Sequence, residues 1–290
     1  MIWKRLFVFT LLMVFLQGMV FGQRSDPEMI RIETLDGNIM IGTLLSESDD
    51  QLVMEVEGIG EITVQKSNIR RIDWIDPSRI RNGEYWFDNP QGTRYFFAPN
   101  AIGLRKGHGY YQNTWVFFNN VNYGVTNNFS IGGGLVPGFL LGGGLSATPV
   151  WILPKLSIPI AYDKVHLAAG AMIGGTLGSD GGGGGLLYGS GTFGSSDNNV
   201  TVGLGYGFAG GELSDTPLVN ISGMYRVKRT VYLLTEIYFL PGIEESGFAL
   251  FGGRWAPERF AVDFGILSPL SVNADIIGLP WLGVTIPFGR

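Results

Sequence analysis

The chain has 290 residues, of which 45 are glycine, 16% are charged and 13% are aromatic, and its formal net charge is −5. It contains no cysteine, which excludes disulfides, a thiol nucleophile and the cysteine-linked lipid anchor of bacterial lipoproteins. The acidic balance argues against nucleic-acid binding, and no motif points to a cofactor. Beyond the N-terminus, no apolar run reaches the ~20 residues of a membrane-spanning helix. Abundant glycine and aromatic residues without helical periodicity predict an all-β fold.

Residues 1–23 have the layout of a secretory signal peptide. Lys4 and Arg5 precede a long apolar run, and the small Gly22 comes just before the polar stretch QRSDPE. The alternative is an uncleaved anchor helix at the N-terminus.

Residues 28–76 contain five short alternating runs separated by turn signals such as Asp36-Gly37. Five strands of this size predict a small, bent β-barrel. The pieces LDGNIMIGTL, DDQLVMEV and GEITVQKSNIRRID resemble the Sm-like and SH3-like small barrels, through framework turns and core positions. Small barrels of this kind also serve as adaptors, which here would bind a periplasmic protein or peptide through an open edge. A spacer or capping domain is the favoured alternative.

A linker at 77–92 leads into residues 93–290, which predict an antiparallel transmembrane β-barrel of about 12 strands. Many of the predicted strands have the ~10 residues that a tilted strand needs to cross a bilayer. The predicted strands are 94–104, 110–125, 129–144, 148–162, 165–177, 185–194, 199–211, 217–227, 230–240, 247–255, 259–268 and 280–289.

The predicted connections alternate between two kinds. If the first strand runs outward, five short connections lie in the periplasm, namely VTNN, Asp163-Lys164, SSDNN, Lys228-Arg229 and APER. The other six face outside, namely RKGHG, LSAT, GSDGGGGG, GELSDT, PGIEES and SPLSVNADIIGLP. Short periplasmic turns and longer outer loops are typical of outer-membrane barrels. An even strand count also returns the C-terminus to the periplasm.

The two faces of the predicted strands differ in polarity. In 247–268, Phe251, Trp255 and Phe264 share one face, while Arg254 and Asp263 share the other. The second face carries mainly Gly, Asn, Ser, Thr and Ala, as suits a crowded lumen, whereas a soluble sandwich would expose many Lys, Glu and Asp.

A resemblance supports this assignment. The span from TRYFFAPNAIGLRKGHGYY through NYGVTNNFSIGGG to the C-terminus is similar to an uncharacterised group of bacterial outer-membrane β-barrels. The resemblance implies contact with outer-membrane lipid and folding by the barrel-assembly machinery, although the last aromatic, Phe288, stands two positions before the end. It implies no ligand.

Five charged residues are predicted to face the lumen, because a charge facing lipid at mid-depth costs ~2–4 kcal/mol. Arg254 and Asp263 are expected to be diagonal neighbours. Either these charges line a narrow path that selects a solute, or they pair and close the lumen. In the first case, Arg254→Ala alters conductance or anion preference. The five residues are Lys155, Arg226, Glu236, Arg254 and Asp263.

Catalysis is the least favoured hypothesis. His108 is expected in an outer loop, and His166 just past a periplasmic turn with inward parity. No GxSxG motif accompanies them, and two distant histidines do not make a metal site. An inward Ser–His pair would favour an outer-membrane hydrolase.

Overall fold

The computed structural model describes residues 28–137, 148–177, 183–240, 247–270 and 278–289, and it divides the chain into two compact units between Tyr85 and Trp86. Within these ranges the regular structure is β-strand, apart from two short 3-10 turns at Lys66–Asn68 and Pro77–Arg79. Among the described residues, no helix has the length and hydropathy needed to span a membrane. The predicted signal peptide, 1–23, lies outside them.

The first unit contains the predicted five strands as an antiparallel sheet, in the order β4-β3-β2-β1-β5. Its core consists of inward side chains from β1 and β3, including Ile30, Ile32, Leu52 and Met54, which are almost fully buried. The sheet is not closed, since β4 and β5 form its two edges, so the five predicted strands are confirmed but their closure into a small barrel is not. A small hairpin of β6 and β7 follows. The strands are β1 (Met29–Thr34), β2 (Ile39–Glu47), β3 (Gln51–Val56), β4 (Gly60–Gln65), β5 (Ile69–Trp74), β6 (Ile80–Arg81) and β7 (Glu84–Tyr85).

The second unit is a closed antiparallel barrel. Every strand pairs with its neighbours, and β20 pairs with β8 to complete the ring. β11 and β12 both lie between β10 and β13 and together form one strand of the wall, which is interrupted at Leu153-Pro154. Counted in this way, the barrel has 12 strands. The strands are β8 (Gly109–Thr114), β9 (Phe118–Gly124), β10 (Phe129–Leu135), β11 (Pro149–Ile152), β12 (Lys155–Ala161), β13 (Val165–Thr176), β14 (Gly184–Gly194), β15 (Asn199–Ala209), β16 (Glu212–Lys228), β17 (Val231–Phe239), β18 (Gly247–Trp255), β19 (Ala261–Pro269) and β20 (Leu279–Phe288).

The predicted count of 12 strands is confirmed. Two of the predicted strands were wrong, however, and the two errors cancel in the count. Residues 94–104 are not part of the wall. The predicted single strand 110–125 is instead a hairpin of β8 and β9, which turns at Trp115 and Val116 with positive φ angles of 52° and 67°. The sequence carries a signal of this turn, because the alternation of apolar and polar residues along 110–125 breaks at Val116 and Phe118.

All five predicted short turns lie at one end of the barrel, which we call the turn end. RKGHG was wrongly placed at the opposite, loop end. The backbone N–H of Gly107 donates to the carbonyl of Gly124 (2.9 Å), and that of Lys106 to the side chain of Asn127 (2.9 Å), so RKGHG lies beside VTNN. GELSDT was also wrong as a loop, because Glu212–Thr216 belongs to β16. LSAT, GSDGGGGG, PGIEES and SPLSVNADIIGLP lie wholly or partly outside the described residues.

The wall has an apolar outer face and a polar inner face, as the alternation predicts. Phe251, Trp255 and Phe264 are 53%, 47% and 49% exposed, whereas Arg254 and Asp263 between them are 0% and 1% exposed. Outward positions of the other strands carry mostly Val, Leu, Ile and Phe. A water-soluble barrel would bury these side chains, so this polarity suits a lipid surrounding.

We expect Phe251→Arg to destabilise the folded barrel by ~2–4 kcal/mol if Phe251 faces the middle of a bilayer, because the guanidinium would lose its water. Urea unfolding in phospholipid vesicles measures this. Phe251→Leu is the matched control and keeps the apolar contact. Equal stability of the arginine and leucine variants would contradict an outward, lipid-facing Phe251.

Candidate functional site

Residues 86–104, which we call the plug, lie inside the barrel. They contact inward side chains from strands on opposite sides of the ring, which only an interior segment can do. The carbonyl of Asn100 accepts from Lys155 Nζ (3.1 Å), and the backbone N–H of Ala101 donates to Thr192 Oγ1 (2.7 Å). On the other side, the plug's polar atoms reach β16, β17 and β18.

The centre of the plug is a tight hairpin. The Tyr95 N–H donates to the Ala98 carbonyl (3.0 Å), and the Asn100 N–H donates to the Thr93 carbonyl (3.1 Å). Phe96 and Phe97 form its tip. The hairpin thus satisfies some of its backbone hydrogen-bonding groups internally, and side chains of the wall satisfy others.

Arg254 joins the plug to the wall. Its Nε and Nη2 donate to the two carboxylate oxygens of Asp263, at 2.5 and 3.0 Å. Its Nη1 and Nη2 also donate to the plug carbonyls of Gln91 (2.6 Å) and Tyr95 (2.8 Å). Arg254 and Asp263 are direct cross-strand partners, not the predicted diagonal neighbours, because β19 starts only at Ala261. Every nitrogen of this guanidinium therefore has a partner, and its charge is neutralised.

Arg226 makes a second junction, nearer the turn end. Its Nη1 donates to Asp197 Oδ2 and to the Phe87 carbonyl, both at 2.9 Å. The guanidinium also lies 5.2 Å from the ring centre of Tyr232, within cation–π range. The Tyr232 hydroxyl donates to the same carboxylate, at 3.2 Å.

Glu236 holds the hairpin tip. Its Oε1 accepts from the backbone N–H groups of Phe97 (2.8 Å) and Ala98 (3.0 Å), and its Oε2 accepts from the Tyr238 hydroxyl (2.7 Å). An isolated buried carboxylate is costly, and these three donors compensate for its lost hydration.

Lys155 differs from the other predicted charges. It is 7% exposed, and its Nζ donates to the carbonyls of Asn100 (3.1 Å) and Ile102 (2.8 Å). Among the described residues, no carboxylate lies within ion-pair distance of it. Four of the five predicted charges thus contact the plug directly, and three of the five form ion pairs, namely Arg254 with Asp263 and Arg226 with Asp197 of the β14–β15 turn.

An aromatic cluster packs around the hairpin on one side. Tyr95 and Phe96 are fully buried among inward side chains of β16–β20, and the Phe96 ring meets the Trp281 ring edge-on at 6.0 Å. Apolar packing and the three charged contacts therefore attach the plug to this part of the wall.

Sequence reasoning missed the plug, and with it Arg94 and Asp197. One signal was present, since Pro99 falls in the middle of the predicted strand 94–104 and proline cannot donate to a sheet ladder. Arg94 has no such signal, because its position depends on the plug's location inside the ring.

The histidines do not form a recognisable catalytic site. His108 was wrongly placed in an outer loop and lies at the turn end, where its carbonyl accepts from the Gly124 N–H (2.9 Å). His166 faces inward near Ser157, but neither His166 Nε2 nor Ser157 Oγ has a hydrogen-bond partner, so they are not joined to each other. Gly103 of the plug lies directly over Ser157. Within the described ranges, no three His, Asp or Glu side chains converge as a metal site would require.

No protein-family model matches the chain, and no curated protein matches it. Among solved structures, the chain is similar to the KdgM porin, with a TM-score of 0.45 and 7% identity over 62% of this chain and 98% of that one. It is also similar to the NanC porin, with a TM-score of 0.38 and 12% identity over 62% of this chain and 96% of that one. A third similar structure is OmpF of Salmonella typhi, with a TM-score of 0.33 and 7% identity over 90% of this chain and 95% of that one. Likenesses of this strength carry no conclusion about the activity of this chain.

We expect Arg254→Ala to reduce the free energy of unfolding by about 3–5 kcal/mol, because Asp263 would remain as an uncompensated buried charge and the plug would lose its donors. Arg105→Ala is the matched control. Arg105 is exposed and lies 3.8 Å from Asp88, so its loss should cost less than about 1 kcal/mol. Urea unfolding of both purified variants measures the difference, and equal stabilities would contradict the bridging role.

Proposed function

We propose that this chain is an outer-membrane β-barrel protein that acts as a narrow pore for small solutes. The observation that carries the proposal is the closed ring of 12 strands with an apolar exterior and a polar, charged interior. A closed ring leaves no unpaired strand edge, which is the condition for a sheet to lie in a bilayer. The charged side chains then face the enclosed interior and point away from lipid.

The proposed orientation places the turn end in the periplasm, because short turns are typical of that side. The chain enters the barrel there, and the C-terminal Phe288 pairs with Gly109 at the same end. Under this proposal residues 1–23 direct export, the barrel-assembly machinery inserts the wall, and the first unit remains periplasmic.

The two sides of the inner wall hold the plug differently. A Cβ at Gly265 on β19 would meet the Phe96 ring at 3.2 Å, and the aromatic side chains of the plug pack against the β16–β20 side. On the other side, Lys155, Thr192 and Thr201 make polar contacts with the plug. The plug therefore contacts both sides, and a passage around it is narrow.

A second proposal concerns the first unit. Its sheet has two open edges, β4 and β5, and Ile59 in the β3–β4 turn is 70% exposed. An open edge can accept an extended peptide as an added strand. This supports an SH3-like or Sm-like adaptor that binds a periplasmic protein or peptide and links it to the barrel.

The pore proposal is tested with the purified full-length protein from the outer-membrane fraction. We expect the boiled and unboiled protein to migrate differently on a gel, and single-channel steps of small conductance in planar bilayers. Protein recovered soluble from the periplasm would overturn the membrane assignment. Folded protein without any current would favour the alternative of a closed structural barrel.

The adaptor proposal is tested by placing a photo-crosslinking amino acid at Ile59 in living cells. The control position is Tyr162, which is 83% exposed in a turn of the barrel itself. We expect a crosslinked periplasmic product from position 59 and not from position 162. Identical patterns at both positions would argue for a spacer domain.

A further inference from the structure

We propose that the outer face of the barrel binds an anionic phospholipid in a groove around Gly223, which we call the outer groove. An acyl chain lies in the groove, and the phosphate of the head group lies beside Lys228 at the turn end. The inference rests on the membrane assignment within the proposed function, and it requires no open lumen.

The outer groove is an open depression of about 490 Å³ on β14–β17. It forms where Gly223 faces outward without a side chain. Gly223 pairs with Val200 of β15, which is 51% exposed on the outside of the wall, and paired residues of neighbouring strands share a face. Its volume lies in the range of ligand pockets, ~300–1,000 Å³. The outward residues that line the groove are Phe193, Val200, Gly223, Tyr225, Leu233 and Thr235.

Large apolar side chains stand on both sides of Gly223. Phe193, Tyr225 and Leu233 are 57%, 61% and 57% exposed, so they project from the wall and form the sides of the groove. An unfilled gap in such a surface leaves its lining atoms without contacts. A flexible acyl chain fills a groove of this kind, whereas a polar solute finds few partners there.

The groove also contains a polar atom that the protein leaves without a partner. Thr235 faces outward, because it pairs with Gly223 and with Phe251, which is 53% exposed. Its Oγ1 is buried and has no hydrogen-bond partner among the described residues. Buried hydroxyls are normally paired, and hydrocarbon offers no acceptor. An ester carbonyl of a phospholipid would accept this hydrogen bond.

The depth of Thr235 suits such an ester group. Thr235 follows Val231, the first residue of β17, by four positions, which is about 13 Å along a strand. With a strand tilt of ~40°, Thr235 lies about 10 Å from the turn end along the barrel axis. The head-group region of a bilayer is about 5–8 Å thick on each side. If the turn end meets the membrane surface, Thr235 therefore lies near the boundary between head groups and hydrocarbon.

Lys228 supplies a cation above the groove. It is the last residue of β16, on the strand that carries Gly223 and Tyr225. Lys228 pairs with Val231, and Val231 pairs with the outward Trp255, so the lysine lies on the outer side of the wall. It is exposed, and within the described ranges it has no ion-pair partner. A phosphate at the membrane surface complements this charge.

The charges at the two ends of the barrel differ in the same sense. Six bases lie in the turn-end connections, namely Arg105, Lys106, Lys164, Lys228, Arg229 and Arg259. The same connections carry three acids, namely Asp163, Asp197 and Glu258, and Asp197 is paired with Arg226. In the sequence, the segments that join strands at the opposite end contain no Lys or Arg but six acids, namely Asp180, Glu212, Asp215, Glu244, Glu245 and Asp275. Anionic head groups are therefore attracted to the turn end, where Lys228 lies.

The test is native mass spectrometry of the purified full-length protein, released from detergent in the presence of phosphatidylglycerol or phosphatidylcholine. We expect the wild type to retain phosphatidylglycerol in preference to phosphatidylcholine. Gly223→Leu fills the groove and should abolish the retention of both lipids. Lys228→Gln should reduce the retained phosphatidylglycerol about fivefold, because one lysine near an anionic lipid contributes about that factor. The matched control is Lys164→Gln, an exposed lysine in the β12–β13 turn outside the groove, which should behave as the wild type.

The outcomes separate this inference from the membrane assignment. Retention that is unchanged in both Gly223→Leu and Lys228→Gln, or that falls equally in Lys164→Gln, overturns the inference and leaves the membrane barrel standing. A protein dimer that Gly223→Leu dissociates also overturns it, because a second copy would then occupy the groove. Wild-type protein recovered soluble from the periplasm overturns both.

A second variant keeps the test decisive if Gly223→Leu fails to fold. A Cβ at Gly223 would lie 3.3 Å from Thr235 Cγ2, so the larger side chain needs a small adjustment of its neighbour. Thr235→Val keeps the shape of the groove and removes the hydroxyl, and it should weaken the retention of both lipids. Wild-type retention in both Thr235→Val and Lys228→Gln would then overturn the inference.

Discussion

The interior structure depends on one constraint, namely that a charge on a barrel wall must face inward and must find partners there. Lipid offers no hydrogen bonds, so Arg226, Glu236 and Arg254 point to the lumen. A lumen this narrow gives limited room for hydrating water. Side chains of opposite charge supply only some of the hydrogen-bond partners that the buried charges require. The backbone of the plug supplies the rest, through its carbonyls and N–H groups. The plug and the wall charges therefore stabilise each other.

This mutual dependence explains why the two sides of the lumen differ. The wall from β16 to β20 carries the charged anchors and the aromatic side chains that hold the plug. The wall from β10 to β15 carries glycine at inward positions, where any larger side chain would meet neighbouring wall atoms. Polar side chains of that side still bond the plug, among them Lys155, Thr192 and Thr201. The aromatic packing of the plug is therefore one-sided, while its hydrogen bonds reach both sides of the wall.

Much of this fold could be predicted from the sequence, because strand faces follow from a period of two. Ten of the 12 wall strands, the short turns at one end and the outward Phe251 and Trp255 all come from that pattern. The plug could not be predicted in the same way. Residues 94–104 are rich in aromatic and apolar side chains, which suit both a wall strand and a hairpin inside the barrel, and only the wall's closure by β20 and β8 distinguishes the two. The hairpin at Trp115 and Val116 was missed because neither residue type is typical of a turn with positive φ.

The sequence left two roles open for the inward charges, a solute path or a paired and closed interior. In the structure, Arg226 and Arg254 fulfil the second role, since each pairs with a carboxylate and also bonds carbonyls of the plug. Lys155 likewise holds the plug, through the carbonyls of Asn100 and Ile102. The alternation of residues along a strand shows which side of the wall a charged side chain faces. Only its partners in the folded structure show whether that charge is neutralised.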